Sequence, residues 1–346
     1  MKRAFIVAVL VFAVFAAGCA SSDTPPDEIV LMTHDSFAVS DGILERFTEE
    51  TGITVTVLRS ADAGTMVSQA ILTKDDPVAD VMYGIDNTFL SRALDHDLFV
   101  PHTAAGIDTV PADLRVPGDP VTPIDFGDVC LNTDPEGLAA AGVPAPESLA
   151  DLADPVYSGM LVVEDPSTSS PGLAFLLSTI ATFGEDGDYP WQAFWADLVA
   201  NDVRIVSGWD QAYYGEFSGG SGEGDRPIVV SYATSPVAEV YFGGLDAAPT
   251  GIVEDGCFRQ VEYAGVLAGT PSESAAARLV DFLLEDRAFQ EDIPLNMFVF
   301  PANSTVSLPD VFVEHGVVPT DPIVMDPTTI GANRERWLAA WSSVVR

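Results

Sequence analysis

From Glu28 onward, short apolar runs alternate with segments whose apolar residues recur every three or four positions. The runs Ile29 to Met32, Ile53 to Leu58, Ala79 to Tyr83, Met160 to Val163, Val203 to Val206 and Pro227 to Tyr232 have the length and composition of strands. Between them, Ile43, Leu44 and Phe47 share a helical face that ends before Gly52, and Met66, Val67, Ala70 and Ile71 form another. Leu173 to Phe183 and Trp191 to Val199 predict two later helices. Strand and helix taking turns in this way predicts an α/β protein of mainly parallel sheets flanked by helices. Ligands of such sheets bind beyond the carboxyl ends of the strands, so function is to be sought in the loops there. No internal repeat or low-complexity block interrupts the pattern.

The first residues depart from it. Met1, Lys2 and Arg3 precede Ala4 to Ala17, an uncharged apolar stretch of about 14 residues, short of the roughly 20 that a bilayer span needs. This reads as an export signal over 1–18. It ends in Ala16-Ala17-Gly18-Cys19, which resembles the site where lipoprotein signals are cut before a lipidated cysteine, with Ala16 where leucine is usual. Cys19 is therefore the expected lipidation site, 19–27 a polar tether carrying Pro25 and Pro26, and a membrane surface the partner of the lipid anchor. The remaining body of about 320 residues suffices for two α/β lobes and is too long for one simple core. It is strongly acidic. The chain carries 52 Asp and Glu against 15 Lys and Arg, and Lys74 is the only lysine after the signal. Such a surface repels nucleic acid and attracts cations. Export also places Cys130 and Cys257 in an oxidising compartment, where a disulfide is expected and two buried free thiols are the alternative.

Four strand-following loops are rich in hydroxyl residues, glycine and acids. They are Thr33-His34-Asp35-Ser36-Phe37, Gly84-Ile85-Asp86-Asn87, Asp165-Pro166-Ser167-Thr168-Ser169-Ser170-Pro171-Gly172 and Ser231-Tyr232-Ala233-Thr234-Ser235-Pro236, each ahead of an expected helix. Plain N-capping accounts for any one of them, whereas four together point to backbone amides gathered around a ligand. Trp209, the pair Tyr213-Tyr214, Tyr232, Phe298 and Phe300 fall near these loops. Each face offered to a planar cation contributes about 0.5 to 2 kcal/mol.

Taken in order, these segments resemble the thiamine-binding receptors of bacterial uptake transporters, within the type II periplasmic binding proteins. The resemblance spans nearly the whole mature chain. It rests on the four loops together with Ala79-Asp80-Val81, Asp125-Phe126-Gly127, Gly208-Trp209 with Ala212-Tyr213, Ile293-Pro294 running to Phe300-Pro301, and the segment Trp337 to Trp341. It implies two lobes, 28–125 with 262–346 and 126–261, joined by two hinge strands near Pro123 to Cys130 and Cys257 to Tyr263. Cys130 and Cys257 would then link the hinge strands on the side of the second lobe. It implies capture of thiamine or a phosphate ester by closure of the lobes, delivery to an ABC transporter permease, and a monomer without a cofactor. Matching positions put Trp209, Tyr232 and Phe298 around the thiamine rings, with Gly64 and Ser169 near the hydroxyethyl or phosphate end, and Asp62 beside the place where the family can carry an acid. His34, Asp35, Ser36, Asp86, Tyr213, Thr234 and Ser235 complete the expected site, Asp86 or Asp35 offsetting the thiazolium charge. His34 stands where relatives carry tyrosine, and Phe298 where they carry tryptophan.

The residues admit two other readings. A ferric-ion receptor of the same fold would use Tyr213-Tyr214 with His34 and an acid. A tethered hydrolase would draw on His34, Asp35 and Ser36, but three consecutive residues of an extended segment point to alternating sides and do not form a relay. The chain has no HExxH, no GxSxG and no cysteine pair at zinc spacing.

Overall fold

A computed structural model describes residues 28–346, so the expected signal, Cys19 and the tether lie outside the described residues. Among the described residues, ten strands form one continuous sheet. They are β1 (Glu28–Thr33), β2 (Thr54–Arg59), β3 (Val81–Asp86), β4 (Phe99–Val100), β5 (Thr122–Thr133), β6 (Leu161–Glu164), β7 (Arg204–Val206), β8 (Ile228–Tyr232), β9 (Gly251–Leu267) and β10 (Phe300–Pro301). Their order is β2-β1-β3-β9-β5-β8-β6-β7, with β10 on β5 and β4 on β9.

β1 pairs parallel with β2 and β3, and β6 pairs parallel with β7 and β8. Every antiparallel pair involves β5 or β9. The chain thus builds a helix-flanked parallel group at each end and joins the two by adjacent long strands, which is a two-lobed α/β fold. The expected strand and helix runs are all present, with ends shifted by a few residues. β3 starts later than the apolar run because Asp80 caps it, its carboxylate accepting from Val30 N at 2.8 Å. It then runs on through Gly84, where φ is +93° and the register against β9 shifts. Only glycine fits there, since a Cβ would lie 2.2 Å from the His34 ring.

β5 and β9 pair from Thr122 opposite Ala264 to Thr133 opposite Gly251. Midway, Asp128 stands opposite Arg259, whose Nε and Nη2 donate to the carboxylate at 2.6 and 3.2 Å. The same guanidinium lies 5.1 Å from the Phe126 ring centroid. Asn87, just after β3, stitches β9 in place, its Oδ1 accepting from Val261 N and its Nδ2 donating to Arg259 O.

Cys130 and Cys257 are disulfide-bonded across β5 and β9, 127 positions apart in sequence. Both are buried beside Ala233, and Cys130 lies opposite Ser231 of β8, so the bond sits toward the second parallel group as expected.

The helix Ser170–Phe183 begins with its cap Ser169 and is buried continuously from Ser170 to Ile180. Its apolar surface packs against the sheet and the helix Trp191–Ala200, where Phe175 meets Trp195 edge to face. The last helix, Pro327–Val345, touches both ends of the molecule. Arg334 lies over the Phe89 ring at 4.8 Å, and Trp341 meets Trp195 edge-on at 5.6 Å.

Removing the disulfide by a paired Cys130→Ser and Cys257→Ser substitution is expected to cost about 2 to 4 kcal/mol of unfolding free energy. Urea titrations of the two proteins check this. An unchanged midpoint would show that the bond adds nothing to stability.

Candidate ligand-binding cleft

The loops after β1, β7 and β8 meet the start of the helix Ala63–Leu72 and the segment ahead of β10 around a cavity of about 300 Å³. Nine of the thirteen residues expected at the site line it: His34, Asp35, Ser36, Asp62, Trp209, Tyr213, Tyr232, Ser235 and Phe298.

One wall is aromatic. Trp209 stacks on Tyr213 with centroids 5.2 Å apart and meets Tyr214 and Tyr232 at steep angles. Its indole Nε1 donates to Ser231 Oγ at 2.8 Å, and Ser231 in turn shares a hydrogen bond with Ser235. The plane of the indole is therefore set by the loop that follows β8. Phe298, also on the cavity, has φ of +53°, a conformation a bulky side chain adopts only under constraint. Thr234 supplies that constraint by donating to the Phe298 carbonyl at 2.5 Å.

The other surface is acidic. Asp35, Asp62, Asp210 and Glu262 line the cavity, and among the described residues no Lys or Arg does. Ser36 Oγ donates to Asp210 Oδ1 at 3.0 Å, bridging the loops after β1 and β7. Glu262, on β9, accepts from Gln260 Nε2, whose amide oxygen accepts from the Tyr232 hydroxyl. His34 Nε2 lies 3.5 Å from Glu262, a charge contact rather than a well-aligned hydrogen bond. Burial opposes a charge on His34, but the Glu262 carboxylate, with Asp62 and Asp125 behind it, outweighs burial and pushes its pKa up to about 9. His34 is thus a cation at neutral pH, with its charge answered by Glu262.

The remaining four expected residues lie behind the wall. Gly64 packs against the backbone of the facing loop, its N–H donating to Thr168 O at 3.0 Å, and a Cβ would come within 2.7 Å of that oxygen. Ser169 is buried as the cap of Ser170–Phe183. Thr234 acts on Phe298 rather than facing the cavity. Asp86 is fully buried, and its carboxylate accepts from the Thr88 hydroxyl and Phe89 N. Burial first, and then the neighbouring Glu262, pushes it up to about 7.

Sequence reasoning missed Glu262, Asp210, Asn296 and Met297. For Glu262 the available signal was an acid between the apolar residues Val261 and Tyr263 of a strand. Asp210 directly follows Trp209. Tyr213, the first of the tyrosine pair, is buried and donates to Glu239 at 2.9 Å, away from any shared metal position with the exposed Tyr214. His34 and Ser36 diverge, the one toward Glu262 and the other toward Asp210.

The sequence pattern of the family described as bacterial extracellular solute-binding protein matches residues 76–315. The chain belongs to that family. Membership makes it a solute-binding protein and places it outside the cytoplasm. The thiamine-binding periplasmic protein of Brucella abortus biovar 1 (strain 9-941) is 28% identical to it, over 97% of this chain and 98% of that one. The thiamine-binding periplasmic protein of Escherichia coli (strain K12) is 27% identical over 92% and 93%. Among solved structures, a periplasmic thiamin binding protein superposes with a TM-score of 0.80 at 26% identity, covering 94% of this chain and 98% of that one. A ferric binding protein from Campylobacter jejuni superposes at 0.71 with 18% identity over 91% and 99%, a likeness of fold alone.

Because the folded pKa of His34 lies above its ordinary value of 6.5, its contribution to stability is full below pH 6.5 and is lost as pH rises through about 9. The wild type is therefore expected to lose up to about 3 kcal/mol over this range relative to His34→Asn. Urea unfolding at pH 6 and pH 9.5 measures it; parallel pH dependences for the two proteins would refute the His34–Glu262 pairing.

Proposed function

We propose that this chain is a lipid-anchored receptor that captures thiamine, or its monophosphate, by closure of two lobes and delivers it to an ABC importer. The observation that carries the reading is one cavity with an aromatic wall, formed by Trp209, Tyr213, Tyr232 and Phe298, and with four carboxylates and no Lys or Arg among the described residues. A planar organic cation meets both halves of that chemistry. Its rings stack on the aromatic faces, and its charge is answered by the acids. Relatives named for thiamine, alike over nearly their whole length, support the same ligand.

In this reading Trp209 and Phe298 flank the thiamine rings, with Tyr232 and Ser235 alongside. Asp210 and Asp35, rather than Asp86, offset the thiazolium charge, while Glu262 stays paired with His34. The lobes are 28–125 with 262–346, and 126–261, and the last helix lies against both. Cys19 carries the lipid and 19–27 gives the body freedom to close while it stays near the permease. The ferric reading is the weaker one because the Tyr213 hydroxyl is committed to Glu239 and burial pushes its pKa upward.

Small molecules released from gently purified protein are expected to include thiamine or a thiamine ester, identified by mass spectrometry. Recovery of none, with no thermal shift on adding thiamine, would sink the proposal. Trp209→Ala is expected to weaken thiamine binding at least about tenfold, the loss of roughly 1.4 kcal/mol of ring contact. Calorimetry that gives equal affinities would remove Trp209 from the site.

A further inference from the structure

The helix Ser235–Gly243 turns Ser235, Ala238 and Phe242 toward the cavity, positions three and four apart that share one helical face. It stops directly after Phe242, because Gly244 takes φ of +58° and its N–H closes the helix on Val240 O. Phe242 is thus the last side chain of that face. It lines the cavity and is nevertheless 73% exposed, which puts it at the mouth of the cleft.

A lone exposed phenylalanine is ordinary on a protein surface. This one has a partner. Its ring is tilted against that of Phe298 with centroids 5.2 Å apart, and Tyr241 beside it lies 6.0 Å from the same ring. Phe298 also stacks on Phe312 at 6.3 Å. Phe242 belongs to the chain between β5 and β9, whereas Phe298 follows β9, so the contact spans the two lobes as assigned above. Thr234 crosses at the same place by donating to the Phe298 carbonyl. When the lobes part, the two rings part with them. The pair therefore favours the closed state and is absent when a ligand first arrives. A contact made only after closure acts on the escape of the ligand rather than on its capture.

The geometry points to Phe242 as a ligand-retaining residue that forms, with Phe298, an aromatic latch across the mouth of the cleft and so sets how fast a captured ligand leaves. The inference rests on the two-lobed thiamine reading above and adds a residue to it. Tilted aromatic pairs gain from the geometry of their rings as well as from burial, so the ring of Phe242 matters and not its bulk alone.

Release is measured on the full chain loaded with radiolabelled thiamine and chased with unlabelled thiamine, and affinity by calorimetry. Phe242→Ala is expected to release thiamine about tenfold faster, with the association rate given by the two measurements within about twofold of wild type. Phe242→Tyr, which keeps the ring, is expected to restore slow release. In a Phe298→Ala background, Phe242→Ala is expected to add no more than about twofold, because its partner is already gone. Unchanged release in Phe242→Ala overturns the latch and leaves the thiamine reading intact. Release from Phe242→Tyr as fast as from Phe242→Ala, or the full effect persisting in the Phe298→Ala background, overturns it too. A fall in the urea midpoint of Phe242→Ala would mark a structural role and count equally against it. A wild type that binds no thiamine overturns the thiamine reading and this inference with it. Should Phe298→Ala not fold, as judged by circular dichroism, Phe242→Ala and Phe242→Tyr decide.

Discussion

The pairing of β5 with β9 is the constraint on which the rest of the molecule depends. β9 pairs with β3 of the first parallel group and β5 with β8 of the second, so their mutual pairing carries the sheet from one lobe into the other instead of ending it at a linker. Midway along the pair, Asp128 and Arg259 are largely withdrawn from water and satisfy each other through two hydrogen bonds. Removing either partner would strand a buried charge, which costs far more than the pair contributes net. The same two strands also place functional groups, since Glu262 follows Arg259 by three residues and Tyr232 lies opposite Val129. Scaffold and cavity floor are therefore one piece of backbone.

Three carboxylates at the cleft that are withdrawn from water have donors arranged around them: amides for Asp62, the Thr88 hydroxyl and Phe89 amide for Asp86, Gln260 and His34 for Glu262. The surplus acids at the mouth, Asp35 and Asp210, are exposed and draw in cations over distances that salt shortens. Aromatic faces then provide contact where charge alone would not discriminate. The arrangement suits a ligand that is both cationic and flat.

Much of this was legible in the residues, and the exceptions share a cause. Short apolar runs mark β1, β2, β6, β7 and β8 because each is bounded by turn or cap residues, and helices such as Ser170–Phe183 carry their own start signals. Loop composition points to five of the cavity residues, His34, Asp35, Ser36, Tyr232 and Ser235, the aromatic positions add Trp209, Tyr213 and Phe298, and Asp62 comes only with the family resemblance. Loop composition does not reveal which way a side chain faces. Asp86 and Asp62 read alike in sequence, yet Asp86 turns inward to Thr88 while Asp62 reaches across the cleft. Glu262 was hidden for another reason. It sits inside a 17-residue strand, and only the pairing of β9 with β3 and β5 brings it against His34.

The bond between Cys130 and Cys257 has a topological consequence. The stretch between them includes β6, β7 and β8 and nearly all of the second lobe, so that lobe is a covalent ring closed where the chain enters and leaves it. A single cut in any of its surface loops, of the kind extracellular proteases make, opens the ring without dividing the protein. Both fragments remain joined at the crossing, and the sheet keeps its full set of strands. For a receptor working outside the cell, the second lobe is in this sense tolerant of nicking, whereas the first lobe, lacking such a closure among the described residues, is held after a cut by packing alone.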